Sequence, residues 1–222
     1  MIVVAVVAEK GGVGKTTIAL NLAVAAVQNG RTVAVIDVDP QATASMWTDR
    51  RTKEHPWVVP TPAVRLDAAI KQAKTQGVDF VVIDTPPHSG TDAAEAARRA
   101  DIVLVPVEPH LFTLETLPKL AGLLKLAGDA PALFLVNKAA TQGTEGSNTA
   151  DYLKAQGFSV CPIILYLRAA HRHATNVGKV AAEFEPGSKA AGEVLQLYMY
   201  TMRFIVSARK SHAKAEPAHS RA

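Results

Sequence analysis

The segment Gly11-Gly12-Val13-Gly14-Lys15-Thr16-Thr17 constrains this chain more than any other part of it. It follows the apolar run Ile2–Val7 and leads into the Ala/Leu-rich stretch Thr16–Gln28. A strand that turns on three glycines into a helix aims several backbone N–H groups inward, where they can cradle an anion. The start of the helix adds its positive dipole end. Lys15 can then reach the β- and γ-phosphates of a nucleotide, and the Thr16 hydroxyl can ligate Mg²⁺. Residues 11–17 are therefore the predicted phosphate loop. The general pattern G-x-x-x-x-G-K-[ST] expects glycine at position 9, where this chain has Glu9, followed by a second lysine, Lys10.

The rest of the chain repeats the strand-then-helix theme. Thr32–Ile36, Phe80–Ile83, Ile102–Val105 and Leu133–Val136 are further apolar runs, suited to parallel strands covered on both faces. Thr16–Gln28, Ala63–Gln76, Thr91–Arg99 and Leu114–Ala127 read as helices between them, and Glu193–Val206 as a C-terminal helix. This alternation predicts an α/β fold: a doubly wound, mostly parallel sheet with helices on both faces. Thr48–Pro62 reads as a surface excursion and Thr141–Asn148 as a loop. At 222 residues, 48% apolar and 20% charged, the chain suits a single domain over 1–206 and excludes disordered, collagen-like and coiled-coil classes. Residues 207–222 read as a basic, disordered tail. They hold four of the Lys and Arg residues and one acid, and account for most of the net charge of +4. The single cysteine, Cys161, excludes an internal disulfide and a cysteine-built zinc site. No apolar run approaches the roughly 20 residues that span a bilayer. The N-terminus lacks the basic start of a signal peptide, which makes the cytoplasm the expected compartment.

Ligands in doubly wound sheets bind at the carboxyl ends of the strands. Asp37, Asp39 and Asp84 fall there, after the second strand and after Ile83. Asp84 can hold Mg²⁺ or cap a turn, and Asp37 and Asp39, two residues apart, can face the same way or serve a turn. Asn137-Lys138 follows a strand as in the guanine motif N-K-x-D, but Ala140 stands where the guanine-reading carboxylate belongs. That favours ATP over GTP.

Lys10-Gly-Gly-Val-Gly-Lys15-Thr resembles the deviant Walker A motif of the ParA/MinD family of ATPases. Asp37-Val38-Asp39-Pro40-Gln41 is similar to that family's D-x-D-P-Q motif, and Phe80–Pro87 to its Walker B strand. A looser match runs through Leu167-Arg168, Ala174, Gly178 and Ser188–Ala191. The resemblance implies a P-loop NTPase that hydrolyses ATP with Mg²⁺, weakly alone and faster with a partner protein and DNA. It assigns Lys10, Lys15 and Asp39 to catalysis, with Lys10 reaching the nucleotide of a second subunit and Asp39 positioning water. It assigns Thr16, Asp37 and Asp84 to the metal shell, and Asn137 to adenine.

Within this family, MinD-like members use an amphipathic C-terminal helix on membranes, and ParA-like members bind DNA without sequence preference. The tail here has no large apolar face, so no membrane attachment is expected. Arg168, Arg172, Lys179, Lys189 and Arg203 are the weak DNA-contact candidates, each open to being an ordinary solvated residue. The expected protein is a nucleoid-associated ATP homodimer that partitions plasmid or chromosomal DNA with a small adaptor protein. The alternatives are the same cycle positioning a protein cargo, or a P-loop enzyme or maturation factor on the same scaffold.

Overall fold

The computed structural model describes residues 1–87, 90–110, 116–128 and 130–215, with side chains to residue 210. Six strands form one sheet: β1 (Ile2–Val6), β2 (Val33–Asp37), β3 (Trp57–Pro60), β4 (Phe80–Asp84), β5 (Ile102–Val107) and β6 (Ala132–Val136). Their order is β3-β2-β4-β1-β5-β6, and every neighbouring pair is parallel. The chain leaves β1 toward one edge, returns through β4, and crosses to the other edge with β5 and β6. β1 therefore sits at the reversal of winding, where such sheets place their ligands.

The helices are α1 (Lys15–Gln28), α2 (Thr43–Thr48), α3 (Leu66–Thr75), α4 (Gly90–Arg99), α5 (Leu117–Leu126), α6 (Glu145–Ala155), α7 (Ala169–Asn176), α8 (Ala181–Phe184) and α9 (Lys189–Ala215). A 3₁₀ turn, Ala63–Arg65, precedes α3. Side chains of β1 alternate between two cores, as strand geometry requires. Val3, Ala5 and Val7 pack with apolar residues of α3, α4, α5 and α6. Val4 and Val6 pack with those of α1, α2 and α9. Both faces of the sheet are covered, which explains why its strands read as continuous apolar runs.

The sequence missed β3, which lies inside the expected surface excursion. Pro56, Pro60 and Pro62 hid it: prolines are poor strand residues, yet they suit an edge strand such as this one, whose outer side has no strand partner among the described residues. The loop expected over 141–148 is shorter, because α6 begins at Glu145. Leu114, the expected start of a helix, lies outside the described residues; α5 itself begins at Leu117.

α9 continues to Ala215, nine residues into the segment expected to be a disordered tail. Ala208, Arg209 and Lys210 are good helix formers. Arg209 Nη2 also donates to Asp101 Oδ1 at 2.8 Å, while Asp101 Oδ2 accepts from the Val3 amide at 2.8 Å. The helix is thereby stapled to the amino-end rim of the sheet, opposite the phosphate loop. Residues 216–222 lie outside the described residues. Among the described residues, no helix is long and apolar enough to cross a membrane.

Candidate functional site

The phosphate loop owes its shape to two left-handed glycines, Gly12 (φ 80°) and Gly14 (φ 92°). Gly14 caps α1 without a side-chain bond to its first amides, so those donors remain for a ligand. A Cβ at Gly14 would also lie 2.5 Å from Asn137 Nδ2. Asn137, after β6, donates from Nδ2 to the Val13 carbonyl at 2.7 Å. The ammonium of Lys138 bonds to the Gly12 carbonyl and pairs with Glu108 at 2.9 Å. Glu9 is buried and pairs with Lys119 of α5 at 2.7 Å. Two side chains from outside the loop, those of Asn137 and Lys138, thus fix its backbone.

The register sets Asp84 beside both Val6 of β1 and Asp37 of β2. The Asp84 carboxylate is fully buried, and among the described residues neither oxygen meets a hydrogen-bond partner in good geometry. Burial pushes its pKa up to about 7, against the pull of the nearby Thr16 hydroxyl. The neighbouring Asp37 pushes it the same way, and Lys15 opposes it. Lys15 is itself buried, with Nζ 3.5 Å from the Lys10 carbonyl. Desolvation lowers its pKa, while Asp84 and Asp39 act to raise it. A buried, unpartnered carboxylate beside a threonine hydroxyl is an oxygen donor set that fits a hard divalent cation.

Asp37 is differently placed. Its Oδ2 accepts from the Ser45 amide and hydroxyl, both at 3.1 Å, and its Oδ1 accepts from the Asp39 amide at 3.2 Å. Asp37 thus anchors α2, a duty that Ser45 gave no sequence signal for. Burial pushes its carboxyl pKa up, and the Ser45 bonds act against that. Asp39 is half-buried and accepts from the Gln41 amide at 2.9 Å. Lys10 is half-buried, and among the described residues its ammonium has no ion-pair partner.

A cavity of about 390 Å³ opens beside Gly14 and Thr17, walled by Ile18, Asn137, Tyr166 and Leu197. It falls within the usual range for small-molecule sites. Arg168 and Arg172 line this cavity too. Arg168 is bound to Glu193 through Nε at 2.8 Å and Nη2 at 2.5 Å, a commitment that its sequence position did not reveal. Lys179, Lys189 and Arg203 are exposed. Lys189 and Arg203 lie on one helix about 21 Å apart along its axis.

The CobQ/CobB/MinD/ParA nucleotide binding domain model matches residues 4–180, a span that contains the loop, the aspartates and Asn137. The chain belongs to this family of nucleotide-binding domains. It is 38% identical to the maintenance of carboxysome distribution protein A of Gloeobacter kilaueensis, over 52% of this chain and 53% of that protein. It is 27% identical to the chromosome-partitioning ATPase Soj of Thermus thermophilus, over 85% of this chain and 90% of that one. Its fold is similar to that of the septum site-determining protein MinD of Pyrococcus horikoshii in complex with Mg-ADP. The TM-score is 0.75 at 22% identity, covering 93% of this chain and 98% of that one. The chain spans about half the length of its carboxysome-distribution relative and most of the length of Soj.

Proposed function

We propose that this ParA/MinD-type domain is an ATPase that dimerises around ATP and distributes a cargo over DNA. The observation that carries the ATPase reading is the buried Asp84 carboxylate without a hydrogen-bond partner among the described residues, set beside Thr16 and Lys15 at the mouth of the phosphate loop. Thr16 and Asp84 would hold Mg²⁺, which supplies positive charge to the phosphates. Asp37 has both oxygens engaged, so its part in the metal shell is indirect. The loop amides and Lys15 grip the β- and γ-phosphates, and Asp39 orients the attacking water. Asn137 supports ATP over GTP. One Nδ2 hydrogen is committed to Val13, and the free Oδ1 can accept from the adenine amine, where the guanine carbonyl would repel it.

Lys15→Ala tests this directly. The variant is expected to lose tight ATP binding, by about a hundredfold in Kd, because it removes the cation inside the loop. Equilibrium titration with a fluorescent ATP analogue reads the change; retained affinity would refute the assignment.

DNA is the proposed surface, and a small adaptor the proposed stimulator of hydrolysis. Partition relatives such as Soj support a nucleic-acid cargo. The carboxysome-distribution relative supports a second reading, in which the same cycle positions a protein assembly on the nucleoid. Of the basic candidates, the exposed Arg172, Lys179, Lys189 and Arg203 remain for DNA, whereas Arg168 is engaged by Glu193. DNA binding should need ATP and show no sequence preference. With about five phosphate contacts per dimer, the log–log salt slope should be roughly −4 to −5. Fluorescence anisotropy across a salt series measures it; equal binding with ADP would defeat the DNA reading.

A further inference from the structure

A tight joint lies far from the loop in sequence, between the end of α2 and the segment leading into α8. Arg51 is almost wholly buried, as is Glu183, its ion-pair partner. The Arg51 fork meets both Glu183 oxygens, at 2.8 and 2.9 Å, and the Gly178 carbonyl at 3.0 Å. Its Nε and Nη2 both donate to the His55 carbonyl. The guanidinium stacks 4.5 Å from the Trp47 ring, and Trp47 Nε1 donates to the Lys179 carbonyl at 3.0 Å. Gly178 has φ 66°, and a Cβ there would lie 2.3 Å from the Arg50 backbone. The two segments touch at a point where only glycine fits.

Both ends of this joint lead back to the nucleotide site. The six-residue α2 is too short to hold its own position. One end of it carries Ser45, which holds Asp37, and the other carries Trp47 and, just beyond, Arg51. On the opposite side, the Ala181 amide reaches Asn21 Oδ1 at 3.4 Å, and Asn21 Nδ2 donates to the Thr17 carbonyl at 2.8 Å. The first turn of α1, α8, the Arg51–Glu183 pair, α2 and Asp37 are therefore linked in series. A buried ion pair is a poor source of stability compared with apolar packing, but it fixes geometry well.

We propose that Arg51 and Glu183 are positioning residues for hydrolysis: by clamping the far end of α2 they set the angle at which Asp37 and the adjoining Asp39 face the phosphates. This rests on the reading of Asp39 as the residue that orients water. Phosphate grip rests on the amides of residues 11–17 and the Lys15 ammonium, and the joint touches that segment only at the Thr17 carbonyl, so the clamp acts on turnover far more than on affinity.

The test compares Arg51→Met, Glu183→Gln and Gly178→Ala with the parent and with Lys53→Ala, which removes only an exposed partner of Glu183. Gly178→Ala keeps both charges and displaces the backbone, so it carries the test if Arg51→Met does not fold. Single-turnover ATP hydrolysis, ATP affinity and melting temperature are measured for each. The expected result is a turnover rate about tenfold lower in the folded joint variants, with ATP affinity within about twofold of the parent and Lys53→Ala unchanged. Unaltered turnover in folded joint variants would overturn the proposal. So would turnover and affinity falling together, which marks the joint as a structural brace. A parent that binds ATP but does not hydrolyse it would instead remove the ATPase reading beneath the proposal.

Discussion

Asp84→Asn is expected to stabilise the nucleotide-free protein at neutral pH and to abolish ATP hydrolysis. The Asp84 pKa is raised to about 7 in the folded protein, well above its value in the unfolded chain. The unfolded chain therefore releases this proton near pH 4, while the folded protein keeps it until about pH 7. The contribution to stability is complete below about pH 4, falls as pH rises, and is lost above about pH 7. A gap of about three pH units corresponds to at most about 4 kcal/mol. Asparagine cannot ionise, so the variant escapes that loss. Its buried amide still lacks partners, which costs about 1–3 kcal/mol, and the net gain is a melting temperature higher by several degrees at pH 8. Thermal melts from pH 5 to 9, without Mg²⁺, show this as a flattened profile for the variant. Parallel profiles for variant and parent would mean that the carboxylate is not the strained group. With Mg-ATP the order reverses: the parent gains stability from the ligand and the variant gains far less.

Lys10→Ala is expected to separate nucleotide binding from assembly. The loop glycines and Lys15 remain, so one subunit still holds ATP. What is lost is a cation without a partner among the described residues of its own chain, as expected of a group meant for a second subunit. Removing one member of a desolvated charge pair costs on the order of 2–5 kcal/mol, and a symmetric dimer loses two. ATP-dependent dimerisation and DNA binding should then fail together. Light scattering after size exclusion, on a background in which Asp39→Ala blocks hydrolysis, reads the assembly directly. A Lys10→Ala protein that still dimerises with ATP would return Lys10 to the ordinary lysines of the loop and weaken the dimer model.

The parts of the fold visible in the sequence are those whose signals are local. Strands covered on both faces announce themselves as apolar runs, and five of the six were found that way. The phosphate loop is a contiguous motif, and Asp84 ends a run that could be read directly. β3 was hidden because an edge strand tolerates the very prolines that argue against a central one. α2 was hidden because six residues carry too little periodicity. α6, α7 and α8 were not read as helices either, and the other omissions are partnerships across the chain. Glu183 lies 132 residues from Arg51, and no spacing rule connects them. Arg168 looked like a free surface cation because Glu193, which neutralises it, sits on another helix. Lys119 and Glu9 escaped notice for the same reason.

The course of α9 settles where an attached label would sit. Near its start, Val194 and Leu197 line the cavity beside the phosphate loop, and near its end Arg209 is fastened to Asp101 at the opposite rim. With 27 residues, the helix is about 40 Å long. A label attached just beyond Ala215 would leave from the back of the molecule, away from the phosphate loop. A label beyond α9 is thus the better choice for following this protein in living cells, whereas one at Met1 would burden the residue next to the strand that carries the phosphate loop.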